Sequence, residues 1–407
     1  MLRRKNYWLL FAILLLSLTS LSPSMQVNTN NGPLEVNRRQ NPSAFPDSSK
    51  VGTVDNLQIT VALSPAEFTE LKALSSSYSL SSGVKIDLKN IEKADAEEIL
   101  LKDLTIGDSP DIIMTDGRKI LDLAKHGYLL PIDVYRSVPG SAPLTRLIPQ
   151  MQWNGYDWGV PLDIDPYVLV YSPQRLTELG MPSLPRNVNE WNLMLENLRK
   201  QPDKYLLALD TRTPYGFAAV LESMGTSMTS VKPETLNWLQ QALGDFYLSS
   251  QPDHKIWDKI QDGSIAIAAV PYSEWKRYGN ASLKAEGLLG ARGTNGIESI
   301  YSRSFALPAQ SEHPEEAVKW LAFITGTTSQ LDWLDATGGL PALDEIYRSG
   351  PPSSVVLPFD SQLLLAEEAA PDDEPEGGWK KMTEAVALFL EGKLNATELQ
   401  KQLQTSE

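Results

Sequence analysis

Leu57-Gln-Ile-Thr-Val-Ala-Leu63 alternates apolar residues with polar or small ones, the period-two pattern of a strand with one face buried. Pro65 then opens a helix that carries Phe68, Leu71, Leu74 and Tyr78 on one side. Val84, Ile86 and Leu88 alternate again as a second strand. Residues 94–104 predict a second helix with Ile99, Leu100 and Leu104 apolar, and Asp111-Ile-Ile-Met114 a short buried strand. Residues 118–126 predict a third helix, which Gly127 ends. Strand and helix thus alternate three times in succession. This predicts parallel strands with helices on both faces, an α/β architecture.

A second unit begins near Pro166. Residues 167–171 are a β-rich apolar run, and 175–179 predict a short helix stopped by Gly180. Asn187-Val-Asn-Glu190 has the form of a capping box, followed by Trp191, Met194, Leu195 and Leu198 at helical spacing. Helices are predicted over 233–248 and 252–262, and buried strands over 265–270 and 300–307, with the glycine-rich stretch 286–298 between the strands carrying turns. Pro314, Glu315 and Glu316 suit a helix N-terminus whose core side is Ala317, Val318, Leu321 and Ile324. Segment 350–377 is rich in Pro and acid and predicts a surface loop. Residues 379–390 form an amphipathic helix, and Asn395-Ala-Thr-Glu398 is a second capping-box pattern.

At the N-terminus, Arg3, Arg4 and Lys5 precede an apolar run from Tyr7 to about Leu16 and then small residues. This is the order of a secretory signal, expected over 1–25 with a cut after Ser24. An uncleaved anchor is the alternative, although the run is short against the ~20 residues a span needs. Either way the rest of the chain is placed outside the cytoplasm. Residues 26–54, rich in Asn, Pro and Ser, predict a flexible linker. The 407 residues suggest two domains, and the net charge of −15 argues against nucleic-acid partners and anionic lipid. Cysteine is absent, which excludes disulfides, thiol chemistry and lipidation through an N-terminal cysteine. The three histidines, His126, His254 and His313, lack metal-ligand spacing, and no nucleophile-elbow or phosphate-loop motif occurs. No metal and no cofactor are expected.

Seven stretches in order resemble the extracellular solute-binding proteins of the maltose-binding type (family 1), from about Leu57 to the C-terminus. They are Ser109-Pro-Asp-Ile-Ile-Met-Thr-Asp116, Leu123-Ala-Lys-His-Gly-Tyr-Leu-Leu-Pro-Ile-Asp133, Trp153-Asn-Gly-Tyr-Asp-Trp-Gly-Val-Pro161, Leu169-Val-Tyr-Ser-Pro-Gln-Arg-Leu176 with Leu179-Gly-Met-Pro182, Asn187 to Trp191, His313-Pro-Glu-Glu-Ala-Val-Lys-Trp-Leu321 and Gly338-Gly-Leu-Pro-Ala342. Ser172 stands where that family usually has Asn, and the lipid-accepting cysteine of Gram-positive members is missing. The resemblance implies a two-lobed periplasmic-binding-protein-like fold (type II), each lobe a sheet flanked by helices. Lobe one is expected over 55–163 and 300–345, and lobe two over 164–299 and 346–407. The ligand is expected between the lobes, where strand ends meet, with closure by a hinge. The implied function is capture of a small ligand, a carbohydrate above all, by a monomer that delivers it to the permease subunits of an ABC importer, and not catalysis.

A sugar offers hydroxyls and flat C–H faces, so its site calls for carboxylates beside aromatic rings. Asp116 is a ligand acceptor at a strand end or a helix cap. Asp163 and Asp165, two apart in an extended segment, point to one face and line the cleft or lie in a solvated loop. Trp158 is a ligand contact or an interface residue. Trp275 is placed by the resemblance where a ligand ring stacks, with Tyr272 beside it. Tyr215 is expected in a loop of lobe two, and Gly338 and Gly339 in a tight turn near the cleft. Arg303 holds an anionic group or, the favoured reading, pairs with an acidic neighbour. Two other functions compete: a secreted carbohydrate-active enzyme using Asp163 or Asp165, and a binding subunit of a surface sensor. An i, i+2 pair is a poor glycosidase signature, because retaining enzymes hold their carboxyls ~5–5.5 Å apart, usually from different strands.

Overall fold

The computed structural model describes residues 56–134, 142–250, 253–287, 298–350, 357–365 and 377–405. The expected signal segment, the linker and most of the glycine-rich stretch 286–298 lie outside them. No described helix is long and apolar enough to cross a membrane.

Strands β1 (Leu57–Val61), β2 (Ile86–Asn90) and β3 (Ile112–Asp116) pair in parallel in the order β2-β1-β3. The helices Pro65–Ser82 and Ala96–Ile106 make the crossovers. The first begins at Ser64 with a complete capping box: Ser64 Oγ accepts from Glu67 N, and Glu67 Oε2 accepts from Ser64 N. Short β4 (Leu129–Leu130) and the hairpin β5 (Gln152–Trp153) with β6 (Tyr156–Asp157) follow.

Strand β7 (Val160–Tyr171) holds the two halves of the sheet together. All twelve of its residues are buried, as expected of an apolar strand covered on both faces. The apolar pattern predicted only its second half, because Asp163, Asp165 and Pro166 interrupt the first. Those residues belong to the strand, so the solvated-loop reading of the aspartates is withdrawn. Residues 160–166 pair antiparallel with β12 (Ile300–Pro308), which in turn pairs with β3. Residues 167–171 pair antiparallel with β10 (Ile265–Pro271). Beyond β10 lie β8 (Tyr205–Asp210) and β9 (Phe246–Ser249), parallel to each other. Strand β11 (Lys284–Glu286) pairs with the end of β7 and β13 (Leu340–Pro341) with its middle, at Ile164 and Asp163. Three chain segments therefore run side by side where the halves join: β7, β12 and β13.

Two cores follow the two halves. One gathers Leu57, Ile59, Ile112, Val160 and Phe305 with Leu71, Leu74, Trp320 and Trp333. The other gathers Leu169 and Tyr171 with Trp191, Leu207, Phe217, Leu239 and Phe389. The C-terminal helices Gly378–Leu390 and Ala396–Thr405 supply Phe389, Leu399 and Leu403 to the second core. A third cluster, containing Ile113, Ile164, Val168, Ile256, Ile265 and Tyr347, joins elements of both halves.

Several sequence expectations shift. The helix predicted over 233–248 stops at Ala242, and Phe246–Ser249 is an edge strand whose ladder with β8 outweighs helix propensity. Strand Tyr205–Asp210 and helices Tyr272–Tyr278 and Thr327–Thr337 had no clear sequence signal. Tyr215, expected in a loop, opens the helix Tyr215–Ser223 and is buried. At Asn187 the cap forms with Glu190 N, but Glu190 returns to the Asn187 side-chain amide and to Arg186 N. The box at Asn395 and Glu398 is complete.

Candidate ligand-binding site

The strand-end loops of both halves converge beside β7, and two groups of side chains form there. The first is an ion network inside the joint. Asp163, fully buried, accepts from Arg303 Nε at 2.8 Å and from Arg303 Nη2, and also from Trp333 Nε1 at 2.7 Å. Arg303 Nη1 donates to Glu67 Oε1. Burial pushes the Glu67 carboxyl up, but Arg303 and then Lys93 outweigh it and hold the group well below the usual carboxylate range. Burial also works against the Arg303 cation, and Asp163 and Glu67 more than restore it. The β7–β12 register steps from Arg303 opposite Asp163 to Ser304 opposite Pro161, so Leu162 is an extra residue. Such a bulge re-aims neighbouring side chains. Gly339 fits here because it lacks a side chain: a Cβ would fall on Asp163 Oδ2, 2.9 Å from Trp333 Nε1 and 3.1 Å from Arg303 Nη2. Gly338, at φ 81°, ends the helix Thr327–Thr337 in the left-handed conformation glycine favours. Arg303 pairs with acidic neighbours, as the sequence suggested.

The second group is aromatic and acidic. Asp165, also buried, accepts from Ser273 N at 2.9 Å and Ser273 Oγ at 2.5 Å. Burial pushes its carboxyl up to about 7, against those two bonds and the more distant Arg303 charge. Ser273 lies between Tyr272 and Trp275 on helix Tyr272–Tyr278. Tyr272 is fully buried, and burial with Asp165 nearby pushes its phenol up to about 12. Trp275 is half-buried at the same helix. Asp116, the last residue of β3, accepts from Arg118 N at 3.0 Å and so caps the turn Gly117–Lys119. It also accepts the Tyr215 hydroxyl, at 2.8 and 2.7 Å from its two oxygens. Burial raises the Asp116 carboxyl, and the Tyr215 and Arg118 bonds oppose that shift. The structure thus bears out the cap, and the carboxylate's second partner here is the Tyr215 hydroxyl.

Tyr215 stands in an aromatic box with ring centroids 5.8 Å from Tyr167, 5.4 Å from Tyr301 and 5.3 Å from Trp379. The Arg118 guanidinium lies 4.5 Å over the Trp379 ring. Sequence reasoning missed Tyr167, Tyr301, Trp379 and Arg118. Tyr167 and Tyr301 sat in runs read as strand core, and Trp379 in an amphipathic helix far along the chain. Trp158 stands apart: its Nε1 donates to Trp153 O at 3.0 Å, and the two rings lie 5.8 Å apart at the β5–β6 hairpin. Among the described residues no group of His, Asp and Glu has the arrangement of a metal site.

The site is thus carboxylates among aromatic rings, set where two α/β halves meet at shared strands. Residues 73–355 match the family model of bacterial extracellular solute-binding proteins. The chain belongs to that family. Solute-binding proteins of this kind work outside the cytoplasm and carry out binding rather than catalysis, so the enzymatic alternative falls away. An uncharacterised ABC transporter extracellular-binding protein of Pyrococcus horikoshii is 25% identical over 264 residues, 58% of this chain and 58% of that relative. The chain thus spans less than two thirds of that curated relative. Among solved structures, the Thermotoga lettingae ABC transporter solute-binding protein bound with α-D-tagatose has a TM-score of 0.67 at 15% identity, covering 86% of this chain and 98% of that one. The GacH receptor of Streptomyces glaucescens, solved unliganded and with acarbose, gives 0.63 at 16%, covering 87% and 97%. The galacto-N-biose/lacto-N-biose I-binding protein of Bifidobacterium longum gives 0.64 at 16%, covering 88% and 97%. These likenesses establish the two-lobed α/β fold that the order of segments implied.

Proposed function

We propose that this solute-binding protein captures a carbohydrate between its lobes and delivers it to the permease subunits of an ABC importer. The observation that carries the reading is Asp116 bonded to the Tyr215 hydroxyl, whose ring packs against Tyr167, Tyr301 and Trp379, with Asp165 bonded to Ser273 on the helix that carries Trp275. Carboxylates held by hydroxyl and amide donors exchange readily for sugar hydroxyls, and the rings cover C–H faces. The sugars in the related structures, α-D-tagatose, acarbose and lacto-N-biose, support the ligand class.

The lobes are taken as 55–163 with 300–345, and 164–299 with 346–407. Asp116, Asp165, Tyr215 and Trp275 are the ligand contacts. Tyr272, Asp163, Gly338 and Gly339 shape the wall from behind, and Trp158 belongs to the outer hairpin. The chain acts as a monomer, exported by its N-terminal segment and without a lipid anchor on cysteine. Isothermal titration against tagatose, maltodextrins, acarbose and lacto-N-biose tests the ligand class, with heat and a raised Tm expected for at least one. No heat and no thermal shift across a saturating panel overturns it. Co-purification with permease subunits from native membranes tests the partner, and capture of a sensor protein instead would favour a signalling role.

A further inference from the structure

Glu274 follows Ser273, the residue that holds Asp165, on the helix Tyr272–Tyr278. It is half-buried. The charged groups nearest it come from several elements: His254 ahead of the helix Lys255–Gln261, Asp210 and Arg212 at the end of β8, and Lys93 after β2. It also acts on the Tyr167 phenol, whose ring packs 5.8 Å from that of Tyr215. Glu274 therefore stands at the strand ends beside the carboxylates and rings of the candidate site, where open α/β sheets receive ligands.

The other charges there are already committed. Arg212 grips Asp210, with Nε 2.9 and 3.1 Å from the two carboxylate oxygens. Lys93 Nζ lies 3.6 Å from Glu67 Oε2. Asp116, Asp163, Asp165 and Glu67 are all held by donors of the chain itself. Glu274, among the described residues, has no hydrogen bond and no ion pair. Burial pushes its carboxyl up against His254, with Asp210 adding to the rise and Lys93 and Arg212 opposing it. A carboxylate drawn out of water and left without a donor is costly, so the place favours a guest that brings one. A hydroxyl brings one donor and no charge. An ammonium brings three donors and the opposite charge, and aromatic rings such as those of Tyr167 and Trp275 suit a cation.

We infer that Glu274 is the specificity-determining acid of the site and selects a sugar that carries a protonated amine over its neutral counterpart. The inference rests on the proposed carbohydrate reading and narrows it. Asp116 and Asp165 must each release an internal donor to take a sugar hydroxyl, whereas Glu274 gives up none.

Isothermal titration of two matched pairs tests this: deacetylated chitobiose against cellobiose, and glucosamine against glucose. Within each pair the sugar frame is shared and ammonium groups replace hydroxyls. The amino member is expected to bind about tenfold or more tightly. Glu274→Gln keeps the shape and removes the charge, and is expected to abolish that difference while leaving the neutral member nearly unchanged. Glu274→Asp keeps the charge and is expected to keep the preference, and an unchanged Tm shows that each variant folds. Equal affinity within both pairs, tighter binding of the neutral member, or a preference that survives Glu274→Gln overturns the inference and leaves the carbohydrate reading standing. Binding of a neutral sugar from the panel above with no heat from either amino sugar does the same. If no sugar, amino or neutral, binds the wild-type protein, the carbohydrate reading fails and the inference falls with it.

Discussion

Asp163 and Asp165 sit two residues apart on one strand, both buried, and serve opposite sides of the molecule. Asp163 binds Arg303 and, through it, Glu67 at the start of the first helix. It anchors the joint to the half built on β1, β2 and β3. Asp165 binds Ser273 N and Oγ at the helix following β10, and so anchors the joint to the other half. The first anchor is a carboxylate saturated by a guanidinium and an indole. The second is a carboxylate held by neutral donors in a place that favours its protonated form. A fully ion-paired acid resists exchange, whereas one held by a hydroxyl can trade that partner for another hydroxyl. Under the proposed function, the charge of the partner rather than burial separates frame from site.

Breaking the ion-paired anchor should cost most. Arg303→Met leaves Asp163 buried without its cation and Glu67 with only Lys93, and is expected to destabilise the protein by about 3–5 kcal/mol, read by urea denaturation. A loss under 1 kcal/mol would show that the network contributes little. Gly339→Ala forces a methyl group into the same network and should cost about 1–3 kcal/mol, measured the same way. A neutral result would mean the turn shifts freely.

The second anchor should respond in binding and in pH rather than in fold. Asp165→Asn is expected to weaken sugar binding about tenfold to a hundredfold, and titration that leaves affinity intact removes Asp165 from the site. The folded Asp165 carboxyl lies at about 7, above its ordinary unfolded value of ~3.9. The native state therefore holds the extra proton between those values. Its contribution to stability is complete below about pH 4 and is lost as pH rises through about 7. Unfolding free energy of the wild-type protein, relative to Asp165→Asn, should fall over that window. A flat difference would show that the carboxyl is not perturbed. At the outer hairpin, Trp158→Phe removes one hydrogen bond to Trp153 O and should cost about 1 kcal/mol with unchanged sugar affinity. A drop in affinity would bring Trp158 back into the site.

Much of the fold was legible because amphipathic periods and caps are local. The three opening strand–helix units, the Pro314–Ile324 helix and the box at Asn395 stand as their residues predict. Edge strand Phe246–Ser249 failed because its stability comes from the β8 ladder rather than from its own residues. The site was half legible. Of the candidate residues, Asp116 was singled out as an acid at a strand end, Asp163 and Asp165 as a pair of acids at the chain crossing, and Trp275 by family resemblance. Tyr167, Tyr301 and Trp379 were not, because an aromatic residue in a strand or helix pattern looks the same whether it fills a core or faces a guest.

The linear order of residues carried the alternation of strands and helices, the absence of cysteine and the placement of acids beside the crossing. These are properties of neighbours within a few residues. It could not carry which acid would meet Arg303, which would meet Ser273 and which would meet Tyr215. Those partners lie 140, 108 and 99 positions away. Only the tertiary pairing of strands brings such distant residues within hydrogen-bond reach, as β7 with β12 does for Asp163 and Arg303 beside the bulge at Leu162.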